Sequence, residues 1–328
     1  MFVSNTSISD NSLPSERPIE LQWTKLPIVS NTECKSTWAK EGRDFNEREI
    51  VCVGFLKSNS TGICQGDSGG PLICHQNGQT VLTGIVSWGR RDCKTHMPNM
   101  FTRVVNYIEW IEIYMEKTSS QYKRNKRNPA YDYSQEHGDL QTYKDSLEQR
   151  DSQENGSSKE EPKTYGLKQG IEQNPGSCPK LPNYMRGGAQ GRIIHGHKAN
   201  NPIPWQVSIQ PPWGSQKCGG TILDRTTILS AAHCFRDKKT DYTDYMVLAG
   251  KVSRNAYNEN SYIRIAKVIL HPEWNFTKII NDVAIVKLSR PVPFDKNIKS
   301  MCLPSKDFKP REGEMCIASG WGRTEGEK

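Results

Sequence analysis

No stretch of the 328 residues is long and apolar enough to cross a bilayer, and the opening MFVSNTSISDNS has none of the apolar centre of a secretory leader. Apolar residues are scarce altogether, at 34% of the chain with a mean hydropathy of −0.72. That is little for a chain of this length packed throughout, so a sizeable part is expected to lie outside any core. The ten cysteines include no CxxC pair of the kind a zinc site favours. Being even in number, they read as disulfides made in an oxidising compartment, which points to an extracellular, secreted protein whose signal peptide is not in this chain. A basic stripe interleaved with aromatics is missing too. The formal charge of +8 comes from Lys and Arg spread among acidic residues, which argues against a nucleic-acid partner and for solvated surface.

What is present falls into three segments. Residues 1–117 begin with a polar Ser/Asn-rich stretch to about residue 17. Short apolar runs such as EIVCVGF, PLIC and VLTGIVSW then alternate with turn residues, the pattern of an antiparallel sheet protein. Val104, Ile108, Ile111 and Met115 recur at helical spacing, predicting an amphipathic helix over Arg103–Glu116. Residues 118–177 change to Gln, Glu, Lys, Ser, Asn and Asp. They have too few aliphatic side chains to offset their ordering entropy, so they read as a disordered linker. Within it, Arg124-Asn125-Lys126-Arg127 fits a proprotein-convertase site as well as an ordinary run of solvated charge. Residues 178–328 return to short apolar runs. Glycosylation sequons stand at Asn5, Asn59, Asn155 and Asn275.

The chemistry concentrates in CQGDSGGP, Cys64 to Pro71. It reads as a serine on a tight glycine-flanked turn, with the Gly66 and Ser68 N–H groups able to converge on an oxyanion while Ser68 Oγ stays accessible. Gly69 and Gly70 allow close passage behind it, and Pro71-Leu72-Ile73-Cys74 enters an apolar strand that holds the turn.

This octapeptide, flanked by LPIVSNTEC and TGIVSWG, resembles the active-site segment of trypsin- and chymotrypsin-like serine proteases. GRIIHGHKANNPIPWQVSIQ, CGGTILDRTTILSAAHCF, NDVAIVKL, CLP and CIASGWG extend the resemblance across the third segment. It implies an all-β, trypsin-like double six-stranded β-barrel with a C-terminal-type helix, and a serine endopeptidase acting on protein or peptide substrates. In that family's roles His233 is the general base, Asp282 the carboxylate that orients it and Ser68 the nucleophile, with Gly66 and Ser68 as oxyanion donors. No cofactor is implied. Calcium-binding relatives carry a carboxylate just after the position of Gly250, where Lys251 stands here, so no metal is expected either.

The family order of histidine, aspartate and serine is inverted, because Ser68 precedes His233 and Asp282. Two arrangements give this: a window cut from an ovochymase-like polyprotease, holding the back half of one domain and the front half of the next, or one domain closed across the linker. In origin the chain resembles a segment of such a polyprotease, and its two ends are expected to assemble as one domain, with residues 1–117 as the second barrel and helix and residues 178–328 as propeptide junction and first barrel. A catalytically incomplete fragment acting as a binding module is the competing class. By family position Cys34 pairs with Cys52, Cys64 with Cys93, Cys218 with Cys234, and Cys178 with Cys302. Cys74 and Cys316, one in each half, then pair with each other.

The resemblance also implies a zymogen cut after Arg192, whose new Ile193 ammonium pairs with an Asp67 left unpaired in the uncut chain. The substrate pocket falls on Gly62, Ile63, Ser87, Trp88, Gly89 and Asn99. Where trypsin-like members have an aspartate for Lys or Arg substrates this chain has Gly62, so a cationic side chain would enter without a counter-ion. Gly89 leaves the entrance open and Asn99 is expected to shorten the pocket with its amide. Uncharged side chains of moderate size are therefore expected, and a separate trypsin-like protease must cut after Arg192.

Overall fold

The computed structural model describes residues 18–56, 62–76, 78–90, 92–93, 96–115, 178–186, 197–214, 216–237, 240–255 and 261–323. The linker expectation, the basic run at 124–127, Arg192, Ile193 and the sequons at Asn5, Asn59 and Asn155 lie outside them. The chain divides into two units, Met1–Ile108 with Gln173–Lys328, and Glu109–Glu172. Of the second, residues 109–115 are described and are helical.

The regular structure of the first unit is mostly antiparallel strand. Its strands in chain order are β1 (Gln22–Pro27), β2 (Ile50–Val53), β3 (Pro71–Gln76), β4 (Gln79–Trp88), β5 (Asn99–Arg103), β6 (His197–Lys198), β7 (Gln206–Gln210), β8 (Cys218–Ile222), β9 (Thr227–Ser230), β10 (Met246–Ala249), β11 (Tyr262–Leu270), β12 (Ala284–Leu288) and β13 (Met315–Gly320). Six of them, in the order β10-β11-β12-β9-β8-β7, form a closed barrel. Its strands are rich in β-branched residues that pack on a pleated, half-buried surface, as in Ala-Ile-Val-Lys-Leu of β12.

The other seven form one sheet in the order β2-β5-β4-β3-β13-β1-β6. An antiparallel bridge between Ile28 and Val53 brings the continuation of β1 back to β2, so this sheet also rolls on itself. Leu26, Val51, Val53, Leu72, Val86, Phe101 and Ala318 fill the resulting core. The double-barrel architecture is the expected one, with the short two-residue β6 added to the outer edge of β1 at Gln22–Trp23. One strand lies elsewhere than expected. β13, expected in the first barrel, pairs with β1 over six residues from Gln22↔Gly320 to Pro27↔Met315, and with β3 at Ile317 and Ala318. The last five residues of β13 are buried, and a strand so covered needs a hydrogen-bonded neighbour on each side.

Five disulfides close the framework: Cys34–Cys52, Cys64–Cys93, Cys74–Cys316, Cys178–Cys302 and Cys218–Cys234. Cys74–Cys316 spans 242 residues of sequence and joins β3 to β13 inside the sheet.

The helices differ from the sequence reading. α1 (Asn31–Ala39) was not expected. Its Ser30 cap accepts the Glu33 N–H, and only Cys34 and Trp38 turn inward. The helix expected from Arg103 begins later, since Arg103 still pairs with Gly84 in the sheet and Val104–Tyr107 form a 3-10 turn before α-helix over 108–115. No described helix is long and apolar enough to cross a membrane.

Candidate active site

His233 and Asp282 reach each other from two adjoining elements. His233 sits in a 3-10 turn, Ala232–Phe235, that continues β9, and Asp282 lies just before β12, the strand paired with β9. The Cys218–Cys234 disulfide pins that turn to β8. Asp282 Oδ2 lies 2.7 Å from His233 Nδ1 while Oδ1 accepts the His233 backbone N–H at 2.8 Å, so the carboxylate holds both ring and main chain. With Nδ1 against a carboxylate, the ring proton belongs on Nδ1 and Nε2 is left as an acceptor.

Asp282 is 2% exposed. Burial works to raise its carboxyl, but the electrostatic attraction of the His233 ring, the ring N–H, the Ser87 hydroxyl and the His233 backbone N–H together hold it below the ordinary range. Ser87, expected in the substrate pocket, instead sends its hydroxyl to Asp282 Oδ2 at 2.5 Å. Thr102 Oγ1 donates to the Asp282 carbonyl at 2.9 Å. Asn281, directly before it, takes φ +55 and is held there by donations from Tyr107 Oη to its side chain and from its own N–H to Glu49. A buried carboxylate that orients a base is thus fixed from both barrels. Thr102 and Tyr107 stand beside no recognisable motif in the sequence, and the contacts of Ser87 and Asn281, although both lie within recognised motifs, are not legible there.

The Ser68 turn is held as tightly. Gly69 (φ +79) backs onto the histidine-bearing barrel so closely that a Cβ there would fall 2.3 Å from Ser230 Oγ and 2.6 Å from the Gly219 carbonyl. The Ser68 carbonyl accepts the Gly219 N–H at 2.7 Å, and the Gly69 N–H donates to Val86. Gln216, another residue not anticipated, is 1% exposed and donates to the Gly66 carbonyl at 2.8 Å. Gly66 itself takes φ +102. The Gly66 and Ser68 N–H groups donate to nothing among the described residues, although both residues are buried. Buried backbone donors are nearly always paired. Here two are left open on one turn, beside a serine whose hydroxyl also makes no hydrogen bond among the described residues.

Asp67 is fully buried, and its carboxylate accepts the Gly322 N–H at 2.7 Å and the Cys64 N–H at 3.0 Å. A side chain on Gly320 or Gly322 would strike it, with Cβ positions 2.2 and 2.3 Å from the carboxylate oxygens.

Of the expected pocket residues, Asn99 lies against Gly89, its Oδ1 only 2.9 Å from where a Cβ on Gly89 would stand. Gly62 is buried, and Trp88 is half-buried with its ring edge-on to Trp38. Ile63 is buried in the barrel core with Leu26, Val53 and Phe101, which corrects its expected place as a pocket side chain. Cys218, His233 and Cys234 place three ligand atoms within 4.8 Å of one another, but both sulfurs are consumed in their disulfide and cannot act as thiolates.

Two rolled antiparallel sheets, with a buried aspartate–histidine pair on one and a clamped serine turn on the other, define a two-barrel β domain. The comparisons narrow this further. The Trypsin family model matches residues 6–111 and 193–328, more than half of the sequence, and the chain belongs to that family of serine proteases. It is 31% identical over 310 residues to Transmembrane protease serine 9 of Rattus norvegicus, a match covering 93% of this chain and 28% of that protein. The chain therefore spans little more than a quarter of the length of this relative.

Proposed function

We propose that the chain is an extracellular serine endopeptidase in which one active site forms from the two ends of the sequence. The observation that carries this reading is the open pair of N–H groups on Gly66 and Ser68, next to a serine turn packed on the barrel that bears the His233–Asp282 pair.

In this reading Ser68 Oγ attacks the scissile carbonyl and its proton passes to His233 Nε2. Asp282 keeps the ring proton on Nδ1 and stabilises the imidazolium that forms. The carbonyl oxygen, now negative, takes the Gly66 and Ser68 N–H groups, an interaction whose loss from one donor typically costs roughly 10² to 10³ in rate. The imidazolium gives its proton to the leaving amine. Water then repeats the sequence on the acyl-enzyme and restores Ser68.

Activation follows a cut after Arg192, with the Ile193 ammonium joining the Asp67 carboxylate in place of part of its present hydrogen bonding. Gly62 supplies no counter-ion and Asn99 fills space above Gly89, so the preferred P1 side chain is uncharged and of moderate size, apolar or amide-bearing. The Arg192–Ile193 bond is then a poor substrate for the enzyme itself, and a trypsin-like partner cuts it.

A fluorophosphonate probe on protein cut after Arg192 tests the reading. Labelling of Ser68 that is lost in Ser68→Ala is expected. An oxidised, cut and folded protein that takes no label would leave a non-catalytic binding domain.

A further inference from the structure

Of the four sequons, Asn275-Phe276-Thr277 falls among the described residues, and its surroundings are specific. Asn275 and Ile280 exchange backbone hydrogen bonds, Asn275 N–H to Ile280 O at 3.0 Å and Ile280 N–H to Asn275 O at 3.2 Å, which closes a small hairpin around residues 276–279. The Asn275 side-chain oxygen accepts the Lys278 N–H at 3.0 Å, tying down that end of the amide. The amide nitrogen is left at the surface: Asn275 is exposed and its Nδ2 donates to nothing among the described residues. The atom that would bear a sugar thus points to solvent with no hydrogen bond to break, while the backbone beneath it is fixed.

The hairpin stands beside the candidate active site. It leads through Asn281 directly into Asp282, and at its tip Phe276, 40% exposed, lies under the Arg236 guanidinium at 5.4 Å. Arg236 is three residues past His233, so the contact joins the hairpin to the histidine turn. A large hydrophilic group on Asn275 would stand next to the side of the cleft that His233 and Asp282 form.

We propose that Asn275 carries an N-linked glycan, and that this glycan screens the cleft against bulky folded substrates while leaving it open to extended peptides. The five disulfides require passage through an oxidising secretory compartment, where the attachment is made. There the Asn275 amide nitrogen displaces a lipid diphosphate from C1 of a lipid-diphosphate-linked oligosaccharide. The nitrogen–carbon bond forms, the carbon–oxygen bond to the diphosphate breaks, and the amide loses one proton. The site itself stands on the hairpin geometry, and the screening rests on the protease reading above.

The test uses the full chain secreted from animal cells. Enzymatic release of N-glycans in heavy-oxygen water should convert Asn275 to a heavy-labelled aspartate, detected by mass spectrometry of its peptide. Thr277→Ala, which keeps Asn275 and its turn, should abolish the mark, and Asn275→Gln should do the same. An unmodified Asn275 in secreted protein overturns the site whatever the catalytic outcome. On protein that takes the fluorophosphonate label, deglycosylation should raise cleavage of a folded protein substrate severalfold and leave cleavage of a short peptide unchanged. Equal effects on both, or none on either, overturn the screening while leaving the site intact. Failure to take the label rejects the protease reading, and the screening with it, but not the glycan.

Discussion

Deleting the Cys74–Cys316 bridge should cost more stability than deleting any other disulfide of the described fold, for a reason that can be worked out from sequence separation. The bridge closes a loop of 242 residues, whereas Cys34–Cys52 closes one of 18. On the chain-entropy account the longer cross-link removes about 5.5 kcal/mol of unfolded-state freedom at room temperature and the shorter about 3 kcal/mol. The difference, about 2 kcal/mol, is the useful quantity, because the chemistry of replacing two cysteines by two alanines is shared. All four cysteines are at most 2% exposed, which keeps the packing losses comparable. Denaturant unfolding of Cys74→Ala/Cys316→Ala and of Cys34→Ala/Cys52→Ala, followed by tryptophan fluorescence, measures it. Equal destabilisation by the two pairs would refute the reasoning. Free thiols at Cys74 and Cys316 in oxidised protein would go further and assign the halves to different domains of a longer chain.

Gln216→Leu leaves the buried Gly66 carbonyl without its side-chain donor, a loss of about 1–3 kcal/mol focused on the oxyanion turn. The expected result is a fall of roughly ten- to a hundredfold in kcat with KM nearly constant, and an equal change in both would reject a positioning role. Burial lowers the folded His271 to about 4. Above the unfolded value of about 6.5 it costs nothing, and as pH falls between the two values only the unfolded chain takes up the proton. Stability should therefore decline by up to about 3 kcal/mol across that window, and a His271→Asn chain whose acid melting curve matches the wild type would contradict this. Asn99→Gly removes the amide that overlies Gly89, so the preferred P1 residue should become larger in a peptide library. A profile unchanged by that substitution would place Asn99 outside the pocket.

Strand-rich organisation was legible in the sequence because runs such as EIVCVGF and VLTGIVSW alternate with turn residues, and the tight Ser68 turn because eight specified residues stand together. The partition of strands between sheets was not. Met315–Gly320 reads as one more apolar strand of its own half, and nothing in its six residues says that its neighbours are Gln22–Pro27 and Pro71–Gln76. α1 was obscured by its weak amphipathicity, with two inward residues in nine, although Ser30-x-x-Glu33 offered a capping signal. Around the site, the residues named in advance are those with local signatures. Ser87, Thr102 and Gln216 act across the barrels, at sequence separations of 195, 180 and 150 from their partners, and periodicity carries no information at that range. Ser87 stands beside Trp88 and Gly89 in sequence, and its hydroxyl donates to Asp282 at the place where the β4 register shifts between Val86 and Trp88.

The position of β13 between β1 and β3 also sets a timetable for biosynthesis. Pro27 leaves the ribosome about 290 residues before its partner Met315, which at roughly 5–20 residues per second is an interval on the order of 15 to 60 seconds. For that time β1 and β3 both expose an edge intended for a strand not yet made, together with the apolar face that becomes the core around Leu72 and Phe101. The closed six-stranded barrel faces no such delay, since β7 through β12 emerge consecutively. Nascent chains arrested just after Leu288 has cleared the exit tunnel should accordingly hold one folded barrel and one chaperone-bound half, and the second sheet should gain protection from proteases only once Gly320 has also cleared it.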